Sequence, residues 1–350
     1  MKKFVTIFLL FTSLGLVHNV NAEHVMYVAT GTNNKLLIID TETDKIKGEI
    51  GELENAHGLS GNANTEYLVA GSMNQGNVGK KPTKPASVSE EEHKEHHSAD
   101  PTKPQPLGDS FVSIVHPKHG HVMRRIKVIG ITHHTAVSPD GKIAIAVHSK
   151  NGGISVIDLD KQNVLSFVKT GQVPNYALFS SDGKFSYVSN AGSGTVSIIN
   201  TTTWKVLKDI KVGLGPEHME IDSFNEVLYV VNVIEGSVSV VNLADSENVR
   251  KIKVGKSPHG ISLSSNRLWL FVSNKGSDSL ARINVASGEV KNISLKPAPY
   301  HVEVVPNAPK VYVSSRKAPK IWVVDQNTLE ILNEINISSG VAHQMVLLDQ

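Results

Sequence analysis

The sequence predicts an all-β protein with the fold of a seven-bladed β-propeller of four-stranded antiparallel blades. Three observations support this prediction. A unit of about 42 residues recurs along the chain, each unit contains four strand-like segments, and the two ends of the sequence complement each other. Strand-built repeats of this length are typical of propellers, whereas a parallel β-helix has shorter repeats and helical solenoids lack the strand pattern.

The repeat is clearest between residues 171 and 200, in GQVPNYALFSSDGKFSYVSNAGSGTVSIIN. A Gly-x-x-Pro turn precedes the segment ALFS, and a Ser-Asp-Gly-Lys turn leads into FSYVSN. A Gly/Ser turn then leads into TVSIIN. β-Branched and aromatic residues fill these segments and turn-forming residues bound them, which indicates short strands joined by tight turns.

Successive units start their first strand at steps of 41 or 42 residues, at His134, Tyr176, His218, Gly260, His301 and His343. An earlier unit starts at Gly58, and its distance to the next unit exceeds one repeat by about 34 residues. The excess lies at about 74–109, a segment rich in Pro, Lys and Glu with almost no large apolar residue. Because such a segment cannot bury a core, we expect a disordered insert between the second and third strands of that unit.

The two ends of the mature chain together supply one further unit. Residues 24–51 have the patterns of a second, third and fourth strand, and HQMVLLD near the C-terminus has that of a first strand. We expect these segments to share one blade, so that the ring closes by strand pairing and leaves no open sheet edge. Residues 23–350 are therefore predicted to form a single propeller domain.

The first 22 residues have the pattern of a signal peptide. Lys2 and Lys3 precede an apolar stretch, and a small-residue cleavage site ends at Ala22. We therefore expect a periplasmic or secreted protein, with an uncleaved anchor as the alternative. No segment of the mature chain is long and apolar enough to predict a membrane span.

Composition excludes several classes of site and partner. The chain has no cysteine, which excludes disulfides, thiolate metal ligands and covalent c-type haem. Its formal net charge is only +2 and it has no basic stripe with interleaved aromatic residues, which argues against nucleic-acid binding.

Several strand and turn motifs carry a family resemblance: YVSN (187–190), YVVN (229–232), FVSN (271–274), VSIIN (196–200), VSVVN (238–242) and SPHG (257–260). Together they resemble the YVTN-repeat propellers, the YncE-like group of exported bacterial proteins, which are related to the haem d1 domain of cytochrome cd1 nitrite reductase. The resemblance covers the mature chain except the insert. It implies a fold and leaves the activity open.

The relatives imply two kinds of ligand at the mouth of the central channel. The d1-type domains hold a tetrapyrrole there. In outline, the predicted arrangement also resembles nitrous-oxide reductase, which carries a histidine-ligated copper cluster on a seven-bladed propeller. This chain has no counterpart of that enzyme's cysteine-ligated copper domain, which argues against the same electron-transfer chemistry.

Seven histidines lie at the start of predicted first strands: His57, His133, His134, His218, His259, His301 and His343. First strands are innermost in a propeller, so we expect these side chains at the channel mouth. Imidazole is the commonest protein ligand of zinc and copper, and a histidine-lined mouth is therefore a candidate site for either ion. The alternative is a structural role, since a Pro-His pair before the first strand belongs to the ordinary repeat.

The repeat alignment places His343 with His134, His218 and His301, and places His57 and His259 one position earlier. Successive strand residues point to opposite sides of a sheet. A single ring of imidazoles is therefore not required by the sequence.

Two further groups of histidines are candidate ligands. His148 ends a second strand where other units carry asparagine, which makes it a candidate rim residue of the same mouth. The insert contributes His93, His96 and His97 among glutamates, and a loop in this position leaves the mouth-bearing face. A flexible His/Glu tract suits metal capture, and a solvated charged linker is the alternative.

A second cluster, His116, His119 and His121, is predicted in a hairpin on the opposite face. Close imidazoles can chelate a divalent ion, but an exposed turn explains the same pattern.

No catalytic residue is predicted, because the chain has no G-x-S-x-G elbow, P-loop or H-E-x-x-H motif. The first hypothesis is an exported binding protein for copper or zinc, or for a small ligand or protein partner, at the histidine-lined mouth. The second is a redox enzyme or cofactor carrier of the haem d1-like or histidine-copper type. The third is a structural interaction module.

Overall fold

The computed structural model describes residues 24–74 and 110–349. In these ranges 28 strands form seven four-stranded antiparallel sheets, and no helix is present. The seven sheets are the blades of a propeller, which confirms the predicted fold. Among the described residues, no helix has the length and apolar character needed to cross a membrane.

The strands follow the chain blade by blade. The first three described strands, the outer strands of blade 7, are β1 (His24–Ala29), β2 (Leu36–Asp40) and β3 (Lys45–Ile50). Blade 1 contains β4 (Ala56–Ser60), β5 (Leu68–Ser72), β6 (Ser110–His116) and β7 (His121–Val128). Blade 2 contains β8 (Thr135–Val137), β9 (Ile143–His148), β10 (Gly153–Asp158) and β11 (Asn163–Lys169). Blade 3 contains β12 (Pro174–Phe179), β13 (Phe185–Asn190), β14 (Thr195–Asn200) and β15 (Lys205–Lys211).

The remaining blades repeat the same order. Blade 4 contains β16 (Pro216–Asp222), β17 (Val227–Asn232), β18 (Ser237–Asn242) and β19 (Val249–Lys253). Blade 5 contains β20 (Pro258–Leu263), β21 (Trp269–Asn274), β22 (Ser279–Asn284) and β23 (Val290–Ser294). Blade 6 contains β24 (Pro299–Val304), β25 (Lys310–Ser315), β26 (Lys320–Asp325) and β27 (Ile331–Asn336). The last strand, β28 (Met345–Asp349), is the inner strand of blade 7.

Blade 7 closes the ring with strands from both ends of the chain, as predicted. β28 pairs antiparallel with β1, with Val25 opposite Leu348 and Val28 opposite Met345. The inner strands β4, β8, β12, β16, β20, β24 and β28 contact one another in a closed circle around the channel.

The apolar core is divided among the interfaces between adjacent blades. Seven clusters of buried side chains each join two neighbouring blades. Between blades 5 and 6, for example, Phe271 of β21 and Trp322 of β26 belong to one cluster and are at most 1% exposed. Alternating strand residues supply these faces, so the packing between blades follows directly from the repeat.

The predicted insert connects β5 to β6, the second and third strands of blade 1, which pair directly with Leu68 opposite Val115. Residues 75–109 lie outside the described residues, as do residues 1–23, so the signal peptide and the insert remain sequence-based predictions.

A β-bulge interrupts the inner strand of five blades at the same place. In blade 4, Pro216 pairs with Asn232 and Met219 with Val230, so two residues of β16 face one residue of β17. A bulge of this kind bends the strand and changes the direction of the side chains beside it.

In blades 2 and 7, hydrogen bonds show the same arrangement, with two residues of the inner strand facing one residue of its neighbour. Val147 accepts from the amide of His133 and donates to the carbonyl of His134, at 2.9 Å each. In blade 7, Ala29 accepts from His343 at 2.7 Å and donates to Gln344 at 3.0 Å.

Candidate metal centre

The bulge gives every blade two successive residues at the channel, and these residues form two layers. The upper layer, nearer the mouth, consists of His57, His133, Asn175, Glu217, His259, Tyr300 and His343. The lower layer consists of Gly58, His134, Tyr176, His218, Gly260, His301 and Gln344. Because the strand is bulged here, histidines in both repeat positions meet in one cluster rather than pointing to opposite sides.

The alignment of His343 with His134, His218 and His301 is wrong by one residue. Ala29 bonds to both His343 and Gln344 just as Val147 bonds to both His133 and His134. His343 therefore occupies the upper layer with His57. The cause is that the partner strand of β28 lies at the other end of the chain, where a linear repeat alignment does not reach it.

Three groups of histidines bring ligand nitrogens together. In each group the three nitrogens lie within 4.8 Å of one another: His57, His133 and His134; His57, His301 and His343; His134, His218 and His301. The groups share members, so they form adjoining faces of one cage. Six of the seven predicted mouth histidines belong to this cage.

In the lower group, His134 and His218 are hydrogen-bonded to each other. Their Nε2 atoms lie 2.9 Å apart, and His134 Nδ1 lies 2.9 Å from the carbonyl oxygen of Asn175. A carbonyl only accepts, so the contact with Asn175 assigns the His134 proton to Nδ1, where His133 Nδ1 at 2.8 Å is a second acceptor, and His134 Nε2 accepts from His218. Fixing of the Nδ1 proton by a backbone carbonyl is how metal-binding imidazoles are commonly oriented.

The group formed by His57, His301 and His343 joins two upper-layer histidines to His301 of the lower layer. We call it the upper triad, and it has a different character. His57 Nε2, His301 Nε2 and His343 Nδ1 are buried and have no hydrogen-bond partner among the described residues. Each unsatisfied buried polar atom costs about 1–3 kcal/mol. The three nitrogens of the triad, together with His259 Nε2, which is likewise buried without a partner among the described residues, are therefore candidates to bind a ligand.

His259 is part of the cluster but belongs to none of the three groups. Its Nδ1 lies 2.9 Å from Glu217 Oε2, which accepts a hydrogen bond from it. Its ring stacks on Tyr300, with centroids 3.9 Å apart and planes 6° apart. These contacts fix the ring, and they favour a supporting role for His259 beside the cage.

Burial is the main cause of lowered pKa values in the cluster. It holds the pKa of five histidines well below the usual value, and neighbouring histidines lower it further, joined by Lys275 at His218 and His259: His57, His134, His218, His259 and His301. The pKa of His343 falls to about 4, first through burial and then through Arg316. The imidazoles are therefore neutral at pH 7, which is the form that binds metal ions.

Two glycines make room for the cage. A Cβ on Gly58 would lie 2.5 Å from the Cα of His134, so this position admits the close approach of the neighbouring strand. Gly31 has a φ of +57°, and a Cβ there would lie 2.7 Å from His343 Nε2. Both positions need glycine, the second for its backbone conformation as well.

A cavity of about 240 Å³ adjoins two members of the upper triad, whereas His301 lines the cavity that contains Glu220 and Glu303. His57 and His343 line the first of these cavities together with Asn55, Met73 and Arg316. Met73 lies next to Asn74, the last described residue before the insert, so the described chain reaches the mouth-bearing face at this point.

Two cations flank Tyr300 at this mouth. Arg316 Cζ and Lys275 Nζ each lie 5.5 Å from the centre of the Tyr300 ring, and Arg316 also hydrogen-bonds to Tyr300. The upper rim therefore combines positive charge with neutral imidazoles.

Two carboxyl groups lie beneath the histidines. Glu220 and Glu303 line a cavity of about 50 Å³ with His218, His301 and Gln344. Burial raises the pKa of Glu220 to about 8 and raises the pKa of Glu303 well above its usual range. Both groups are therefore protonated at neutral pH and add no negative charge beneath the cage.

His148 lies outside the three histidine groups. Its Nε2 bonds to Ser155 Oγ at 2.8 Å, and its Nδ1 lies 3.1 Å and 3.2 Å from the carbonyl oxygens of Gly130 and Ile131. Its ring is fully buried. These bonds connect the end of β9 to the neighbouring turn, which favours a structural role for this predicted rim residue.

The second cluster lies in the hairpin between β6 and β7. His116 and His119 stack with ring centroids 4.0 Å apart, and His119 and His121 lie 6.2 Å apart. His116 Nδ1 accepts from the amide of His119 at 3.3 Å. Among the described residues, these three do not form a group with converging ligand atoms. His93, His96 and His97 lie outside the described residues.

Sequence reasoning missed the residues that surround the cage. Glu217 and Tyr300 directly precede His218 and His301, and a comparison of that position across all units would have found them. Glu220 and Glu303 share one position two residues further along, where a carboxylate in an inner strand is itself a signal. Arg316 lies in a loop after β25 and has no such signal.

Another cavity, of about 610 Å³, lies away from the channel. It is lined by Asp182, Tyr187, Leu207, Lys208 and Leu243, from blades 3 and 4. It contains no histidine, so its chemistry is unrelated to the cage.

Residues 107–290 match the family described as the Cytochrome D1 heme domain, which is more than half of the 350-residue chain. The chain belongs to this family. This membership confirms the resemblance to d1-type propellers. No curated protein gives a significant match to the sequence.

Solved structures share the fold of this Cytochrome D1 family member. Hydrazine synthase of Kuenenia stuttgartiensis is 14% identical with a TM-score of 0.69, covering 87% of this chain and 93% of its own. A putative 6-phosphogluconolactonase of Bacteroides fragilis is 16% identical with a TM-score of 0.73, and the match covers 95% of this chain and 99% of that chain. Dihydro-heme d1 dehydrogenase NirN in complex with DHE is 13% identical with a TM-score of 0.63, covering 90% of this chain and 64% of that chain.

Proposed function

We propose that this chain is an exported binding protein that holds one divalent transition metal ion, zinc or copper, at the channel mouth. The observation that carries the proposal is the upper triad. His57, His301 and His343 each offer one ligand nitrogen within 4.8 Å of the other two. Each also has a buried ring nitrogen without a hydrogen-bond partner among the described residues, and His57 and His343 line an open cavity.

The donor set suits these ions. Neutral imidazole is a preferred ligand of both zinc and copper, and the zinc–nitrogen bond is about 2.0–2.1 Å. The three nitrogens, at up to 4.8 Å apart, are expected to draw inward when an ion binds. Three protein ligands leave one position open, toward the cavity.

The surroundings support binding rather than catalysis. Burial keeps the imidazoles neutral, so no proton has to be removed from them at pH 7. Glu217 is occupied by His259, and Glu220 and Glu303 are protonated. Among the described residues, no carboxylate faces the open position as a base.

Membership of the Cytochrome D1 family favours a second candidate, a haem d1-like tetrapyrrole. The described residues fit it poorly. The mouth cavity of about 240 Å³ lies below the range of about 300–1,000 Å³ typical of pockets for organic ligands. The imidazoles of the cage are buried, with His57, His301 and His343 at most 7% exposed, so none is presented to a macrocycle lying over the mouth.

Metal titration of chelator-treated protein tests the proposal. We expect one equivalent of zinc or copper to bind the wild-type protein, and the variant with His57→Ala, His301→Ala and His343→Ala to bind none. His148→Asn is the matched control, because it removes a buried imidazole outside the cage and is expected to keep full binding. Stoichiometric haem uptake with a Soret band, without metal binding, would contradict the proposal and favour the tetrapyrrole.

A further inference from the structure

We propose that the cavity lined by His57 and His343 is a binding site for a small carboxylate, which completes the coordination of the metal ion and pairs with Arg316. The inference rests on the proposed function and adds a second ligand to it.

The first step concerns the open coordination position. The upper triad supplies three neutral nitrogens, so a divalent ion there keeps its full +2 charge and lacks a fourth ligand. The residues that line the cavity beside His57 and His343 include Thr32, Asn55 and Arg316 and no carboxylate. The missing ligand is therefore expected to enter from the cavity.

The second step concerns charge. Arg316 lines the same cavity as His57 and His343. A cation at this place repels a bare metal ion. An anion between the two positive charges reverses that effect, because it is attracted by both.

The third step concerns shape and size. A water molecule occupies about 30 Å³, and the cavity of about 240 Å³ accommodates an organic anion of several heavy atoms. Arg316 presents a planar guanidinium, which matches a carboxylate. Its contact with Tyr300, whose ring stacks on His259, holds the guanidinium at the rim. One carboxylate oxygen then faces the metal ion and the other faces Arg316.

The test measures zinc affinity with and without acetate, at equal ionic strength in a non-coordinating buffer. Acetate is used because it binds free zinc weakly. We expect acetate to tighten zinc binding by the wild-type protein about tenfold or more, as a charge-assisted hydrogen bond would. In Arg316→Met we expect the acetate effect to fall below about twofold, while zinc binding without acetate is unchanged or tighter.

Two further variants make the result specific. Arg316→Lys keeps the charge and is expected to keep part of the acetate effect. Lys275→Met removes the other cation beside Tyr300. Lys275 does not line the cavity, so this variant is expected to keep the full acetate effect. Cobalt substitution provides a second readout, because carboxylate coordination shifts the visible absorption bands.

The outcomes separate the two claims. Zinc binding that is indifferent to acetate, or an acetate effect that survives in Arg316→Met, overturns the carboxylate site and leaves the metal site intact. Loss of zinc binding by Arg316→Met without acetate shows that Arg316 supports the cage structurally, and also overturns the inference. A wild-type protein that binds no zinc in either buffer overturns both.

Discussion

The imidazole rings of His57 and His343 lie 4.4 Å apart, centroid to centroid, although they belong to different blades. His57 begins the inner strand of blade 1, and His343 precedes the strand that closes the ring in blade 7. The cage is therefore complete only when the last strand has paired with the first. Closure of the ring therefore also completes the cage.

His343→Ala is expected to weaken zinc binding by at least about 100-fold, because it removes one of three ligands. His218→Ala is the matched comparison, since His218 belongs only to the lower group, where it bonds to His134. We expect this variant to lose less than about tenfold. Isothermal titration with a competing chelator measures both, and equal losses would contradict the assignment of the ion to the upper triad.

Gly31→Ala is expected to weaken zinc binding as well, because its Cβ would displace the His343 ring. Gly120→Ala provides a matched control, since Gly120 also has positive φ, at +67°, and its Cβ would meet nothing within 4 Å. Both variants should lose about 1–2 kcal/mol of stability from backbone strain. Only Gly31→Ala should lose metal affinity, and retained affinity would show that the contact with His343 is unimportant.

His343→Gln is expected to change the acid dependence of the free energy of unfolding. The pKa of His343 falls to about 4 in the folded protein, whereas an unfolded histidine titrates near 6.5. Between these pH values the unfolded state binds more protons than the folded state. The free energy of unfolding that depends on neutral His343 is therefore lost as pH falls below about 6.5. Urea unfolding without metal should show the variant gaining stability relative to wild type from pH 6.5 to pH 4.

Glu220→Gln is expected to act with the opposite sign and in another range. The pKa of Glu220 rises to about 8 in the folded protein, so the stability of its protonated form is lost as pH rises from about 4.5 through 8. Glutamine does not titrate, so the variant should gain stability relative to wild type as pH rises across this range. A difference in unfolding free energy that stays constant between pH 5 and pH 8 would contradict the burial of this carboxyl.

The sequence was sufficient to predict the ring, because each blade states the same four-strand pattern and the termini supply complementary strands. It also located six histidines of the cage, since all of them begin inner strands. It did not predict that both repeat positions meet in the channel. This arrangement depends on the β-bulges. A bulge is a property of the pairing between two strands, so the residue spacing within one strand does not reveal it.

The partners of the histidines were equally hidden from sequence reasoning. Arg316 and Tyr300 meet because β24 pairs with β25, with Pro299 opposite Ser315, and Tyr300 and Arg316 directly follow these two paired residues. The roles of His148 and His259 depend on which groups their ring nitrogens face. A histidine in a linear sequence shows its residue type but not its tautomer or its neighbours.

Anomalous diffraction from crystals of the zinc-loaded protein tests the central claim most directly. We predict one strong peak at about 2.0–2.1 Å from His57 Nε2, His301 Nε2 and His343 Nδ1, next to the mouth cavity. A peak bound instead by His134, His218 and His301, or a loaded protein with no ordered zinc in the channel, would contradict the account.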